Sequence, residues 1–290
     1  MDPFSLGLIS IACIITLVFV GVRVGFAAGF VGLMGLMILR GWNAGGGMAG
    51  LTAHAEASHY SLSVLPMFIL IGFLAYYAGL TQGAFRCARA WFGHLPGGLA
   101  VATVFATAGF AAVSGASTAT AAVFSRVALP EMLKYGYQAR LAAGVVAAGG
   151  TLASLIPPSA ILVIYAIIVE ESIGRLLVAG FIPGVISALI YAALIIIMAM
   201  RDPTMGPPVG GFTWVERWKS VPGTFPVVFV IIVIFSSMYT GFATPTEAGA
   251  VGSFVVFIMA LVGGMKWPTL RDALLETARL TVMIFSLVWG

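Results

Sequence analysis

Long apolar runs, separated by short polar stretches, dominate the pattern of hydrophobic and polar positions along the chain. A helix needs about 20 mostly apolar residues to cross the hydrocarbon of a bilayer, and most of these runs approach or exceed that length. The pattern therefore predicts a bundle of membrane-spanning helices. The apolar runs cover residues 4–21, 26–39, 62–80, 97–168, 176–200, 222–239, 248–263 and 274–290.

Composition supports the same class of protein and excludes several others. Of the 290 residues, 61% are hydrophobic and 8% are charged, whereas a soluble domain carries about a quarter charged residues. A soluble globular enzyme, a disordered regulator and a nucleic-acid-binding protein are therefore excluded. The two cysteines, Cys13 and Cys87, are too few for a disulfide framework or a metal cluster. The predicted fold class is an all-α polytopic membrane protein.

The lysine and arginine residues indicate an orientation, because cytoplasmic loops carry an excess of both residue types. Most of these charges lie inside if the N-terminus is outside and residues 97–134 enter and leave on the inner side as a re-entrant hairpin. A single ordinary span over this segment would place most of the later charges outside. The pattern also predicts an outer loop over residues 44–61. The basic residues placed inside are Arg23, Arg86, Arg89, Lys134, Arg140, Arg201, Arg217, Lys219, Lys266 and Arg271.

Small and hydroxylated residues cluster in the middle of that hairpin, over residues 109–120. Backbone that turns at membrane depth is tolerated only where it is buried in protein or faces a watery cavity. Hydroxyl and carbonyl oxygens at such a tip can replace water around a small hard cation, and helix N-termini offer N–H groups to an anion. Close helix packing by small residues is the alternative explanation, and the cluster alone leaves both open.

A second interruption, over residues 151–159, favours binding over packing alone. The adjacent prolines Pro157 and Pro158 remove two backbone donors and interrupt the helix in mid-span. A hairpin and a broken helix that lie close together in sequence are typical of the midplane binding sites of secondary transporters. The last three apolar runs also repeat the first three with each direction reversed, and such inverted repeats are typical of transporters.

Three charged residues within or beside the apolar runs have separate interpretations. Glu247 follows Thr244 at an outer helix start, where we predict that it caps the helix. Arg126 lies in the second limb of the hairpin, and we expect its side chain to reach the inner interface in preference to binding an anionic substrate. Glu131 lies near the cytoplasmic surface, where we expect it to pair locally.

Seven short motifs occur in a characteristic order: Pro66–Gly72, Ser114–Ala119, Pro130–Met132, Gly136-Tyr137, Leu155–Ser159, Ala179–Gly184 and Ala243–Ala248. In this order and spacing they resemble the large membrane subunit of tripartite ATP-independent periplasmic (TRAP) transporters. The combination of Ile-Pro-Pro-Ser with Thr-Pro-Thr-Glu-Ala is the most specific part of the resemblance, which covers essentially all of the chain.

The resemblance implies a sodium-driven importer of organic acids, such as C4-dicarboxylates or sialic acid, in the bacterial inner membrane. The charge pattern places the N-terminus on the periplasmic side. It implies an elevator mechanism, in which a transport domain moves against a scaffold in the lipid bilayer. The implied partners are a small four-helix membrane subunit and a periplasmic substrate-binding protein, and sodium is the only implied cofactor. The implied substrate site is Ser114, Gly115, Ser117, Thr118, Pro157, Pro158 and Ser159, and the implied sodium site is Ser114, Ser117, Gly149 and Gly150.

The chain divides into six segments under this interpretation. The second repeat stops where its own hairpin is expected, so we expect a C-terminally truncated chain. The segments are scaffold helices of the first repeat (1–80), an amphipathic interfacial arm (81–96), the hairpin and broken helix of the transport domain (97–170), a closing helix (171–200), an amphipathic cytoplasmic arm (201–221) and the incomplete second repeat (222–290).

Two other functions are compatible with a polytopic membrane protein. A stand-alone elevator-type carrier of dicarboxylates or other anions would work without a binding protein, and the Ile-Pro-Pro-Ser and Thr-Pro-Thr-Glu-Ala motifs count against it. An intramembrane enzyme needs a nucleophile with a base, paired membrane aspartates or a histidine-rich metal site. The three aspartates and three histidines all fall outside the predicted spans, so we expect no enzymatic activity.

Overall fold

A computed structural model describes residues 3–58, 60–210 and 212–289. Within these residues the regular structure is entirely helical, so the predicted all-α fold is confirmed. The outermost residues of the predicted segments 1–80 and 222–290 lie outside the described residues. The α-helices in chain order are α1 Pro3–Phe19, α2 Val24–Arg40, α3 Trp42–Ala57, α4 Val64–Tyr77, α5 Leu80–Phe92, α6 Gly98–Ser114, α7 Ser117–Lys134, α8 Ala139–Thr151, α9 Ala160–Ile168, α10 Ile173–Arg201, α11 Trp214–Ser220, α12 Phe225–Tyr239, α13 Pro245–Val262 and α14 Trp267–Trp289.

Several helices have the length and composition of membrane spans. Three stretches of the described chain are long and apolar enough to cross a bilayer, namely Ile173–Arg201, Trp214–Tyr239 and Pro245–Val262. A fourth span results if α4 and α5 are counted together, although the two helices meet at an angle of 68°. Shorter apolar helices cover Pro3–Phe19, Val24–Arg40, Gly98–Ser114 and Ala139–Ser154. These helices support a multi-pass membrane protein.

The helices form two compact units, of which the first contains residues 1–63 and 278–290. Here the prediction of a loop over residues 44–61 is wrong, because Trp42–Ala57 forms helix α3. Glycine in a helix costs about 1 kcal/mol relative to alanine, which is why this glycine-rich stretch resembles a loop in sequence. A Cβ on Gly45 would lie 2.7 Å from the backbone of Leu36 and Met37. The missing side chains therefore allow α3 to pack closely against α2.

The second unit, residues 64–277, is built around α6. This helix contacts α4, α5, α7, α8, α10 and α12, and most of its side chains are buried. The ring of Phe110 packs against that of Phe124 on α7, with ring centroids 5.9 Å apart. The first limb of the predicted hairpin is thus the central helix of this unit, and burial of its apolar surface favours the packed arrangement.

Two helices of the second unit begin with the same hydrogen-bonded capping arrangement. At the start of α13, the Thr244 N–H donates to Glu247 Oε2 over 2.7 Å, and the Glu247 N–H donates to Thr244 Oγ1 over 3.4 Å. Thr213 and Glu216 form the equivalent pair at the start of α11. Each pair satisfies N–H groups that a helix start leaves unbonded. The predicted capping role of Glu247 is confirmed.

The two predicted amphipathic arms contain α5 and α11, and these helices meet through tryptophan rings. Trp91 on α5 has its ring centroid 6.3 Å from that of Trp214 and 5.7 Å from that of Trp218. Both contacts are edge-to-face, an arrangement that aromatic pairs prefer over face-to-face stacking. The two arms therefore contact each other through a cluster of three tryptophan rings in the second unit.

Candidate functional site

The hairpin reverses direction at a glycine. Helix α6 ends at Ser114, and α7 begins at Ser117. Between them Gly115 adopts the left-handed conformation, with φ 60°, and its N–H donates to the Ala111 carbonyl over 3.0 Å. A Cβ at this position would lie 2.1 Å from the Pro158 carbonyl oxygen. Both the conformation and the space around it therefore require glycine at the tip.

The second interruption separates α8 from α9. Helix α8 ends at Thr151 and passes into a short 3₁₀ turn over Leu152–Ser154, and α9 begins at Ala160. The bond between Pro157 and Pro158 is cis. The Ser159 hydroxyl donates to the Ser154 carbonyl over 2.8 Å and accepts the Leu162 N–H over 3.4 Å. The helix is thus interrupted at the paired prolines, and Ser159 caps the helix that follows.

The hairpin tip and the interrupted helix are in direct contact. The Ala160 N–H donates to the Gly115 carbonyl over 2.9 Å. A Cβ on Gly150 would lie 3.3 Å from the Ser117 carbonyl oxygen, so α8 also approaches the tip closely. The structure therefore brings the two predicted groups of site residues together. Of these residues, Ser114, Gly115, Gly149, Gly150, Pro157, Pro158 and Ser159 are buried, Ser117 is half-buried and Thr118 is exposed.

Ser114 forms a hydroxyl pair with Thr120 below the tip. Their oxygens lie 2.9 Å apart, and both side chains are fully buried. The Thr120 hydroxyl also donates to the Ala116 carbonyl over 2.9 Å. Because a hydroxyl carries a single hydrogen, Ser114 is the donor within the pair and Thr120 is the acceptor. The lone pairs of the Ser114 oxygen remain available to a cation.

Four helix ends meet where the hairpin tip contacts the interrupted helix. The C-terminal ends of α6 and α8 and the N-terminal ends of α7 and α9 are linked by the contacts of Gly115, Ser117, Gly150 and Ala160. Helix C-termini carry partial negative charge and unpaired carbonyls, whereas N-termini carry partial positive charge and unpaired N–H groups. The arrangement can therefore attract a cation and an anion to neighbouring positions.

Most groups that could bind a cation at the hairpin tip and the helix break are uncharged oxygen atoms. Within the described part of the chain, no three His, Cys, Asp or Glu side chains come together in the way that metal ligands do. Hydroxyl and carbonyl oxygens are ligands that suit hard cations, unlike the thiolates and imidazoles of zinc or copper sites. A cation at the junction of tip and break would thus be held by uncharged groups.

Sequence reasoning missed two residues that shape the site. Thr107 is fully buried, and its Oγ1 would lie 2.5 Å from a Cβ on Gly149. Gly72 on α4 faces Ser114, whose Cα and Cβ would lie 2.7 Å from a Cβ at position 72. A signal for Thr107 exists in the sequence, because Thr103, Thr107 and Ser114 are spaced to share one helix face. No local pattern indicates the contact of Gly72, which joins distant parts of the chain.

An ion pair connects the base of the hairpin to the first arm. Arg89 on α5 pairs with Glu131, donates to the Tyr135 hydroxyl over 2.6 Å and lies 4.9 Å from the Tyr135 ring centroid. The partner of Glu131 is 42 residues away in sequence, because the reversal of the chain at the tip returns the end of α7 towards α5. Arg126, on the same helix α7, is exposed.

Comparison with known proteins gives a consistent family. Residues 11–290 match the sequence model described as "Tripartite ATP-independent periplasmic transporter, DctM component". The C4-dicarboxylate TRAP transporter large permease protein DctM of Pseudomonas aeruginosa is 36% identical over 237 residues, which are 80% of this chain and 54% of that protein. The sialic acid TRAP transporter large permease protein SiaM of Vibrio cholerae is 29% identical over 279 residues, 94% of this chain and 64% of that protein.

A third relative has another substrate in its name. The 2,3-diketo-L-gulonate TRAP transporter large permease protein YiaN of Escherichia coli is 31% identical over 235 residues, 80% of this chain and 55% of that protein. The chain spans about half the length of the curated relatives that it matches. The relatives are membrane permease subunits and not enzymes. The chain belongs to the DctM family of large TRAP transporter subunits.

Proposed function

We propose that the chain forms the part of a TRAP large permease subunit that binds sodium and a carboxylate substrate between its hairpin and its broken helix. The observation that carries this proposal is the hydrogen bond from the Ala160 N–H to the Gly115 carbonyl, 2.9 Å long. It joins the hairpin tip to the start of α9, so that four helix ends of both polarities meet. Each interruption supplies one helix end of each polarity, and their contact doubles the number of backbone groups at one position.

Sodium binds on the side of the helix C-termini in this proposal. The Ser114 oxygen has lone pairs to offer, and Gly149 and Gly150 lie in the last turn of α8, with Gly150 beside the tip. The half-buried Ser117 supplies a further hydroxyl at the start of α7. These oxygens would replace part of the hydration shell of a small hard cation.

The substrate carboxylate binds on the side of the helix N-termini. Ser117 and the exposed Thr118 open α7, and the pair Pro157-Pro158 with Ser159 precedes α9. Backbone N–H groups at helix starts bind anions without a charged side chain. The relatives named for C4-dicarboxylates, sialic acid and 2,3-diketo-L-gulonate share a carboxylate-bearing substrate. We therefore assign an organic acid as the transported solute.

The proposed assembly follows the same relatives. A small four-helix membrane subunit braces the scaffold segments, and a periplasmic protein delivers the organic acid. The protein lies in the bacterial inner membrane with its N-terminus in the periplasm, as the distribution of Lys and Arg favours. Residues 97–170 move as the transport domain of an elevator, carrying the hairpin tip and the helix break together.

Uptake into proteoliposomes tests the proposal. The chain, its small membrane subunit and its binding protein are assayed with labelled organic acids in sodium and in potassium, beside a version extended to the length of the relatives. We expect the labelled organic acid to be taken up in sodium and not in potassium. Ser114→Ala should raise the sodium concentration for half-maximal uptake several-fold, because it removes one coordinating oxygen.

Thr103→Val is the matched control for this substitution. Thr103 is equally buried on the same helix, but its hydroxyl donates to the Leu99 carbonyl of its own helix, far from the tip. This variant should have the sodium dependence of the wild type. Uptake that needs neither sodium nor the binding protein would contradict the proposal and favour a stand-alone carrier.

A further inference from the structure

A cavity separate from the hairpin tip lies between α5, α6 and α12 in the second unit. Its volume is about 760 Å³, within the range of about 300–1,000 Å³ that is usual for small-molecule sites. The walls are almost entirely apolar. Side chains from all three helices contribute, among them Ala88, Trp91, Phe105, Val228 and Ile231.

Gly109 leaves the wall on the α6 side open. A Cβ at this position would meet no heavy atom within 4 Å, in contrast to the close contacts at Gly115. The neighbouring α6 residues that line the cavity are Phe105 and Ala106, which lie on the same helix face as Gly109. An occupant can therefore reach the backbone of the central helix at this point.

Beyond one end of the cavity, past the lining residue Trp91, lie further aromatic rings and the positive charge of Arg217, which does not itself line the cavity. Trp91 lines the cavity and contacts Trp214 and Trp218, and the Arg217 guanidinium lies 4.9 Å from the Trp214 ring centroid. The Arg217 Nε is buried without a hydrogen-bond partner, and the described residues provide no carboxylate in an ion pair with this side chain.

The acidic neighbour of Arg217 in sequence is already engaged. The Glu216 Oε2 accepts the Thr213 N–H over 2.8 Å and the Thr213 hydroxyl over 3.0 Å. The Arg217 Nη2 lies 3.4 Å from His94 Nδ1, and an imidazole does not supply the negative charge of a carboxylate. Two further basic residues lie on the helices that carry Trp91 and Arg217, namely Arg86 on α5 and Lys219 on α11. This end of the cavity therefore suits an anionic group.

We propose that this cavity binds one anionic phospholipid, with an acyl chain between α5, α6 and α12 and its phosphate beside Arg217. Tryptophan and arginine are typical of the level where lipid headgroups meet the hydrocarbon. The inner leaflet, on whose side Arg217 is placed by the charge pattern, is rich in anionic lipids that attract basic residues. The apolar walls match the chain, and the basic end matches the headgroup.

Photocrosslinking in proteoliposomes tests the lipid site. The probes are phosphatidylglycerol and phosphatidylcholine that carry the same diazirine in one acyl chain, and mass spectrometry locates the crosslinks. We expect crosslinks in the lining segments of α5, α6 and α12, with a several-fold higher yield for phosphatidylglycerol. Gly109→Leu fills the cavity and should lower that yield several-fold.

Gly144→Leu is the matched control, because a Cβ on Gly144 also meets nothing within 4 Å but faces a different cavity, between α8 and α10. It should crosslink like the wild type. Arg217→Gln leaves the apolar walls intact and should reduce the phosphatidylglycerol yield to that of phosphatidylcholine. Equal yields of both probes in the wild type, or an unchanged yield in Gly109→Leu, would overturn the proposal. Loss of the crosslinks when the small membrane subunit is added would assign the cavity to that subunit instead.

Discussion

Gly115 is the residue on which the geometry of the hairpin tip depends most directly. Its left-handed conformation, its hydrogen bond from Ala160 and the Pro158 carbonyl above its Cα all occur at one position. Gly150 extends the same principle to α8, where a missing side chain permits close approach to the tip. The site is therefore assembled from backbone groups that come together because side chains are absent.

Replacing Gly115 tests this account of the tip. Gly115→Ala should lower the thermal stability of the purified protein, because a left-handed non-glycine residue costs about 1–2 kcal/mol and the added Cβ meets a backbone oxygen at 2.1 Å. Gly144→Ala, in open space on α8, is the control and should unfold at or above the wild-type temperature. Equal melting temperatures for the two variants would show that the tip does not require glycine.

At the scale of helices, the ion pair of Arg89 and Glu131 fixes α5 against the end of α7. The two side chains are 23% and 26% exposed, so solvent screens the pair only partly. A double-mutant cycle with Arg89→Ala and Glu131→Ala should give a coupling energy of about 1 kcal/mol in denaturation experiments. Arg89→Lys should be less stable than the wild type, although it keeps the charge. A lysine cannot bind Glu131 and the Tyr135 hydroxyl and also contact the rings of Tyr135 and Phe212. Additive effects of the two alanine substitutions would contradict this link.

The start of α6 is tied to the loop before α8 by Tyr137. The Leu99 N–H donates to the Tyr137 hydroxyl over 2.9 Å. Burial raises the pKa of Tyr137 above its ordinary value, although the hydrogen bonds from Leu99 and Ala100 partly lower it. The stabilising contribution of the protonated phenol is therefore complete below the unfolded pKa and is lost as the pH rises through the folded pKa.

Tyr137→Phe tests this contact through its pH dependence. At neutral pH the variant should be less stable than the wild type by about 1 kcal/mol, because the Leu99 N–H loses its acceptor. Above about pH 10, the ordinary pKa of tyrosine, the wild type should lose stability faster than the variant, so the difference shrinks. Melting curves across this range measure it, and a constant difference would contradict the assigned role of the hydroxyl.

The sequence predicts the interrupted helices better than it predicts the contacts between distant segments. Adjacent prolines and a cluster of small residues are local signals, and the helix break and hairpin turn lie at those signals. Helix α3 was hidden, because the glycines that allow close packing on α2 resemble a loop when read alone. The pairing of Arg89 with Glu131 and the contact of Gly72 with Ser114 depend on how the chain returns on itself, which no local pattern encodes.

At the scale of the whole molecule, the proposed orientation can be checked with cysteines. In a background without Cys13 and Cys87, Ser172→Cys before α10 and Gly210→Cys after it place single thiols at exposed positions. We expect a membrane-impermeant maleimide to label position 172 from the periplasmic side. Position 210 should react only after the membrane is permeabilised, because its loop is assigned to the cytoplasm. The reverse pattern would invert the topology.

The central claim is that the hairpin tip and the interrupted helix together bind sodium. The most direct measurement is equilibrium binding of radioactive sodium to the purified chain, with Ser114→Ala and Thr103→Val beside the wild type. We predict saturable binding that unlabelled sodium displaces and potassium does not, several-fold weaker in Ser114→Ala and unchanged in Thr103→Val. Absence of saturable binding, or equal binding by all three proteins, would contradict the assignment of sodium to this junction.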